Sequence, residues 1–238
     1  MIVIYRYTEQ PHPCQYLPDR QSRQEYELVA GISPEEYEAR MNAGWRKFGA
    51  FLFHPVCSAC TECRPIRIPL DRFAPDRSQR RSLKDNADLT VRFAQPTVDE
   101  TRMALWRRYH AGQAARKGWP SHNRTSQDYA TSFVRNPIPA IEITIYEGET
   151  LLAVVLTEIT PNVVSGIYHY HDPDRRERGL GTFAMLQTLE LALSLGKAYA
   201  YFGYYVAGCG SMNYKARFRP CQILGTDSIW RDFTPGVL

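Results

Sequence analysis

Arg176-Glu177-Arg178-Gly179-Leu180-Gly181 decides how this chain is read. Upstream, residues 163–171 read Val-Val-Ser-Gly-Ile-Tyr-His-Tyr-His, a strand with Tyr168 and Tyr170 on one face and His169 and His171 on the other. Downstream, Phe183, Leu186, Leu189 and Leu193 recur at helical spacing, and Gly196 ends the helix. The hexapeptide is therefore an R-x-x-G-x-G turn from strand to helix. Glycine uncovers the first backbone amides of such a helix, and they form a site for an anion or a carbonyl oxygen. Working outward, residues 141–147 and 150–158 flank Gly148 and predict a hairpin. Residues 198–205 predict a further strand with Tyr199, Tyr201 and Tyr205 on a shared face. The fold class is mixed α/β (α+β).

The first 70 residues are richer in turns. Ser33-Pro34-Glu35-Glu36 is a helix start, with Ser at the cap, Pro at the first position and Glu three residues on; the helix should stop near Gly44. Short strands are expected at residues 50–53 and 66–68. Thr97-Val98-Asp99-Glu100 reads as a second capping box, opening a helix that ends around Gly112. Residues 117–127 read as a loop. The expected organisation is an N-terminal cysteine-bearing module over 1–70 and a larger domain over 71–238, with the seam somewhere between 70 and 140.

Composition excludes several classes. The chain has 238 residues, 44% apolar and 23% charged, which is globular usage rather than disorder. No run approaches the 18 or more apolar residues of a membrane span. The opening Met1-Ile2-Val3-Ile4-Tyr5-Arg6 has no basic leader region, so a cytoplasmic protein with reduced thiols and no membrane partner is expected. The net charge is only +4, but its distribution is uneven. Arg72, Arg77, Arg80, Arg81 and Lys84 face one acid, Asp76, while residues 191–226 carry Lys197, Lys215, Arg217 and Arg219 and no acid. Two such segments suit one polyanion-binding face, or two separate solvated ones.

Cys57, Cys60 and Cys63 form a C-x2-C-x2-C run, with Cys14 upstream among prolines. Three thiols in seven residues plus a fourth can hold zinc or an iron–sulfur cluster. Cys14 is the natural fourth ligand, with His12 and His54 as weaker candidates. The alternative is a set of small residues packed in a turn, or redox-sensitive free thiols. Cys209 and Cys221 read as singles.

The strand, the R-x-x-G-x-G turn and the helix resemble the acetyltransferase-like (GNAT) domain, whose relatives hold a pyrophosphate on this loop. Text in one order along residues 13–230 resembles the aminoacyl-tRNA–protein transferases of the arginyl/leucyl type, in particular their bacterial leucyl branch. The matching stretches are Pro13-Cys14-Gln15-Tyr16-Leu17-Pro18, Gly44-Trp45-Arg46-Lys47-Phe48-Gly49, His54-Pro55-Val56-Cys57 with Cys60, and Ser78-Gln79-Arg80-Arg81 with Asn86. They continue with Tyr168-His169-Tyr170-His171-Asp172-Pro173, Leu180-Gly181-Thr182, Tyr201-Phe202-Gly203-Tyr204-Tyr205 and Met212-Asn213-Tyr214-Lys215.

This resemblance implies a GNAT-like transferase that moves an amino acid from a charged tRNA to a protein N-terminus and marks that protein for degradation. In the leucyl branch the donor is Leu-tRNA and the acceptors begin with Asp or Glu. The aminoacyl ester is already activated, so no cofactor is required for catalysis. Holding a neutral amine against the ester supplies most of the acceleration, and donors near the carbonyl stabilise the oxyanion. An acidic acceptor wants a fixed guanidinium, for which Arg80 and Arg81 are the candidates, with Arg46 behind them. Glu158 stands where the family usually shows Asp and is expected to face the amine, with Tyr168 and Tyr170 on the adjoining strand. Arg77, Lys84, Arg176, Gly179, Gly181, Lys215 and Arg217 are the expected tRNA contacts. Departures from the family text at Asp76-Arg77, Gly179 and residues 111–124 bear on specificity. Arginyl transfer, acyl-CoA-dependent N-acetylation and a non-catalytic tRNA- or degron-binding redox sensor remain the rivals.

Overall fold

Turn residues and apolar stripes together lay out the chain order. The computed structural model describes residues 1–117 and 125–236. The first part contains β1 (Ile2–Thr8), β2 (His12–Pro13), β3 (Gln21–Ser22), β4 (Gln24–Gly31), α1 (Pro34–Asn42), β5 (Arg46–Phe48) and β6 (Phe51–Pro55). Then come β7 (Arg64–Pro69), α2 (Arg77–Asp85), β8 (Thr90–Ala94), α3 (Glu100–Lys117) and α4 (Ser126–Tyr129), which widens into a π-turn at Ala130–Val134. The last part is β9 (Ala140–Glu147), β10 (Thr150–Ile159), β11 (Val163–His171), α5 (Leu180–Ser194), β12 (Tyr199–Tyr205), α6 (Gly210–Asn213), β13 (Cys221–Leu224) and β14 (Trp230–Phe233). No described helix is long and apolar enough to cross a membrane.

Side chains set the helix starts. Ser33 Oγ accepts from the Glu36 amide at 3.2 Å and the Glu36 carboxylate accepts from the Ser33 amide at 2.9 Å, so α1 begins where the capping box puts it. Asp76 and Gln79 do the same for α2. At α3 the cap differs from expectation. The Asp99 carboxylate, not Thr97, accepts the Arg102 amide at 2.8 Å. The helix also runs through Gly112 to Lys117. Gly112 is small because Pro173 lies against it: a Cβ there would meet the proline ring at 3.1 Å. Of the expected loop over 117–127, residues 118–124 lie outside the described residues, and Thr125 caps α4.

An eight-stranded sheet of order β14-β13-β7-β12-β11-β10-β9-β8 carries the fold. Its one parallel pair is β11 with β12, which requires a crossover, and α5 supplies it. This antiparallel meander, helix and parallel return strand is the GNAT-like arrangement. Helix α5 buries Leu180, Phe183, Ala184, Leu186 and Leu189 against one face, with Ile143, Leu152, Val155 and Phe202 in the same core. Helix α3 buries Met103 and Trp106 on the opposite side, with Leu151, Val154, Leu156 and Tyr170. A second sheet of order β1-β4-β6-β5 packs with α1 through Val29, Tyr37, Met41 and Leu52 against Val163 and Tyr201. Strand β7 belongs to the large sheet, between β13 and β12. The chain passes from the small sheet to the large one through the cysteine-bearing stretch 56–63.

Strand β12 departs from simple alternation. Its register with β7 shifts between Tyr201 and Tyr204, and Gly203 takes φ 71°. Tyr199 and Tyr201 thus pack with the N-terminal sheet while Tyr205 enters the main core, so the three do not share a face. The same bulge turns Tyr204 toward the site.

Candidate functional site

Strands β11 and β12 pair only from Val163 to Ser165 against Tyr199 to Tyr201. Beyond that they diverge, and the large sheet opens between them. A cavity of about 1020 Å³ fills the gap and extends under the N-terminal sheet. Residues 166–169 of β11 and 202–204 of β12 line it. Their backbone groups on the open side lack the ladder partner that continued pairing would give, and the Gly203 and Tyr204 carbonyls are taken by side chains instead. The absence of a side chain at Gly166 lets the Phe202 ring lie close: a Cβ there would sit 3.3 Å from it.

Arg46 lines the cavity and is buried. Its Nη1 donates to the Trp45 carbonyl at 2.6 Å and its Nη2 to the Gly203 carbonyl at 3.1 Å. The guanidinium lies 5.3 Å from the Tyr204 ring and 5.4 Å from the Tyr201 ring. Its Nε has no partner, and no carboxylate among the described residues pairs with it. A buried guanidinium without a counter-ion is costly unless a ligand anion completes it.

Lys215 lies nearby. Its Nζ donates to the Tyr204 carbonyl at 2.8 Å and lies 3.6 Å from the Met212 sulfur. Burial, with Arg46 adding repulsion, pulls the ammonium down to about 7. Lys215, one of the expected tRNA contacts, is an interior side chain that lines the cavity. His169, also on the wall, is pushed down to about 3 by burial, with His171 and Lys215 contributing.

Two of the three expected catalytic residues do not reach the cavity. Glu158 is fully buried in an ion pair with Lys47, and Asn136 donates to the same oxygen at 2.6 Å. Lys47 lines the cavity and Glu158 does not. Such a pair neutralises Lys47 rather than presenting a carboxylate to an amine. Tyr170 is also fully buried, its hydroxyl 2.8 Å from that of Tyr129. Tyr168 does line the cavity, and its hydroxyl lies 2.8 Å from His110 Nε2. Asp172 accepts from Arg108 and from the Asp174 amide, so it starts the turn after β11.

Arg80 and Arg81 were expected at the acceptor site. They sit on the exposed face of α2 with Arg77 and Lys84, outside the cavity, because the buried side of that short helix is taken by Gln79. The Gln79 amide donates to the Arg217 carbonyl at 3.1 Å, and Asn86 donates to the Arg178 carbonyl at 2.9 Å. These bonds set α2 beside both the 214–217 turn and the R-x-x-G-x-G turn. Arg176 and Arg217 are exposed there too, so the two basic segments do meet on one side of the molecule. Gly179 takes φ 57° at the start of α5, a conformation that suits glycine. Gly181 packs near His171 and His169, which ties the turn to the cavity wall.

Cys14, Cys57, Cys60 and Cys63 are free and half-buried. Burial pushes the Cys63 thiol up to about 12, with Cys14, Cys57 and Cys60 adding to the shift, so the four gather in one corner. Yet the Cys57 sulfur lies 3.4 Å from the Arg23 amide, Cys14 accepts from the Tyr16 amide, and among the described residues no three His, Cys, Asp or Glu side chains are set to hold a metal.

Sequence reasoning passed over His110 and Lys47. The first follows Tyr109 on α3 and meets its partner 58 residues away; the second reads as an ordinary surface lysine until its carboxylate partner, 111 residues on, is seen.

Residues 12–81 match the family described as Arginine-tRNA-protein transferase, N terminus, and residues 101–225 match its C terminus. An aspartate/glutamate leucyltransferase of Pseudomonas putida (strain W619) is 37% identical over 223 residues, covering 92% of each chain. One from Stenotrophomonas maltophilia (strain K279a) is 36% identical over 232 residues, covering 93% of this chain and 90% of that one. Among solved structures, FemX aligns with a TM-score of 0.47 at 8% identity, over 84% of this chain and 79% of its own.

Proposed function

The chain belongs to the arginine-tRNA-protein transferase family, and from that premise we propose that it moves leucine from Leu-tRNA onto the N-terminal amine of proteins beginning with Asp or Glu. The observation that carries the leucyl reading is the lining of the cavity. Where β11 and β12 part, the walls are Val155, Ile167, Met185 and Phe202, and Glu9 is the one carboxylate among the described lining residues. Glu9 is already engaged by the Tyr26 hydroxyl at 3.0 Å and faces His12 at 3.3 Å. An arginyl donor would want a free acid; a leucyl side chain wants apolar walls.

The acceptor end follows from charge. Arg46 has an unpartnered Nε and no carboxylate, so the side chain of an N-terminal Asp or Glu completes it. With that carboxylate anchored, the α-amine is held next to the ester carbonyl, and proximity does most of the catalysis. The unpaired backbone amides of the diverging strands and the Lys215 ammonium are the donors available to the oxyanion.

The tRNA body is read as lying across the exposed Arg77, Arg80, Arg81, Lys84, Arg176 and Arg217, with Gly179 and Gly181 opening the amides of α5 to a phosphate. Replacing Arg80 and Arg81 together by alanine is expected to weaken Leu-tRNA binding several-fold at fixed salt. The slope of log K against log salt should fall by about 0.7–0.9 per charge removed. The KM for an acidic peptide should stay within about twofold. A changed peptide KM at unchanged tRNA affinity returns these arginines to the acceptor site.

The deciding assay offers labelled Leu-tRNA and Arg-tRNA to peptides beginning with Asp, Glu, Lys or Ala. Label from Leu-tRNA on the Asp and Glu peptides alone is the expected result. Transfer of arginine, or transfer onto Lys peptides, overturns the assignment.

A further inference from the structure

We propose that His110 is the end of a proton path that begins at the acceptor amine and passes through the Tyr168 hydroxyl. The proposal rests on the transferase reading above and adds the group that takes the proton. Tyr168 stands on β11 just past the point where β12 leaves it, so its side chain borders the place where amine and ester must meet. Its oxygen lies 2.8 Å from His110 Nε2. The geometry is held from several sides. Phe133 stacks on the Tyr168 ring with centroids 5.2 Å apart and an interplanar angle of 19°, and the His110 ring lies parallel to that of Tyr168 within 9°. Trp106 and Tyr109 meet the imidazole edge-on at 5.1 and 5.7 Å.

The other proton acceptors of the cavity suit the task less well. Glu158 does not line the cavity, and its Oε1 is bound by Lys47 and Asn136. Glu9 is bonded by Tyr26. His169 is held far below neutrality by burial, and Lys215, protonated once an acceptor carboxylate sits on Arg46, has no lone pair to offer. His110 is half-buried on α3 and does not line the cavity, so a proton placed there has left the reaction site.

The step balances. The neutral amine nitrogen forms a C–N bond to the ester carbonyl carbon, and the carbonyl oxygen takes the electron pair. One N–H proton passes to the Tyr168 oxygen while the phenol's own proton passes to His110 Nε2. Collapse of the intermediate breaks the C–O bond to the ribose, and the proton returns along the same path to the departing ribose oxygen. Ester and amine become amide and hydroxyl. The path needs Nε2 unprotonated at the outset, which places the neutral ring's proton on Nδ1.

The test is single-turnover transfer from pre-charged tRNA to an Asp-peptide, with the unaltered protein, Tyr168→Phe, His110→Ala, His110→Gln and the Tyr168→Phe/His110→Ala double variant. Phenylalanine keeps the stacked ring and removes only the oxygen. Each single variant should lose at least tenfold in the transfer rate, with peptide KM and Leu-tRNA Kd within about twofold. The double variant should be no slower than the worse single one, since both act as one unit. Glutamine at 110 can hold the phenol but cannot carry the proton, so it should stay slow. Restoration by glutamine reduces His110 to a positioning role and overturns the relay, as do rates within twofold of the unaltered protein. Absence of product from the unaltered protein with both Leu-tRNA and Arg-tRNA overturns the transferase reading, and the relay with it.

Discussion

Arg46→Met is expected to lower kcat/KM for peptides beginning with Asp or Glu by roughly 30- to 3,000-fold, corresponding to about 2–5 kcal/mol for a desolvated charge pair that loses one partner. The affinity for Leu-tRNA should change less than about threefold. The reason lies in how the guanidinium is held. Its two terminal nitrogens are fixed by the Trp45 and Gly203 carbonyls, and the aromatic rings of Tyr201 and Tyr204 flank it. The side chain is thus ordered before the acceptor arrives, and the arriving carboxylate need not organise it. Arg46→Lys should recover little, because an ammonium cannot reach both carbonyls and still face an anion in the same plane. The folding outcome separates this from simple damage. Methionine removes a buried charge with no counter-ion, so the variant should be no less stable to heat than the parent. A variant that loses stability but keeps its preference for acidic termini would show that Arg46 serves packing, and the acceptor carboxylate would need another partner.

Much of this arrangement can be read from the sequence, for an identifiable reason. Strand β11, the R-x-x-G-x-G turn and α5 are dictated locally: a period of two becomes a period of three to four across two glycines, and nothing distant need be known. The capping residues Ser33 and Asp76 are local in the same sense. Side-chain destinations are different. Sequence shows that Arg46, Arg80 and Arg81 are basic; it does not show that α2 turns its arginines to solvent while a carbonyl on β12, 157 residues from Arg46, receives that guanidinium. Glu158 was read as a reactive carboxylate because its natural partner, Lys47, comes from the other sheet. The bulge at Gly203 flips Tyr205 to the opposite side from Tyr201, and only a residue able to adopt positive φ at that position hints at it. The C-x2-C-x2-C spacing is visible in the sequence, but that Cys57 meets the Arg23 backbone and Cys14 the Tyr16 amide is not. The interior polar groups that make the site were legible as residue types, and the long-range pairings that decide their roles were not.

Lys215→Met should make the protein more stable near neutral pH while removing most of its activity. The folded chain holds this ammonium at about 7 against an ordinary value of 10.5, with burial as the main cause and Arg46 the next. Between those two values the unfolded chain binds a proton that the folded chain does not, so the native state gains on the unfolded one as pH rises from 7 to 10.5. Below 7 both states are protonated and the penalty is constant. At pH 7 the linkage amounts to something on the order of 4 kcal/mol against folding. Methionine escapes it but leaves the Tyr204 carbonyl without its donor, a loss of about 1–3 kcal/mol. The net gain should be on the order of 2 kcal/mol, or about 4–8 °C in Tm for a chain of this size. That gain should shrink steadily as the measurement moves from pH 7 toward 10.5. The transfer rate should fall by roughly 10²–10³, the usual consequence of deleting a donor from a site where negative charge develops. An acceptor carboxylate on Arg46 would cancel the neighbouring charge and let Lys215 take up its proton, so the lysine turns cationic when the substrate is in place. The decisive comparison is thermal unfolding of parent and variant across pH 6 to 10. A stability difference that does not vary with pH would mean that Lys215 keeps its proton in the folded chain as it does in the unfolded one, and its placement beside Arg46 would then serve structure alone.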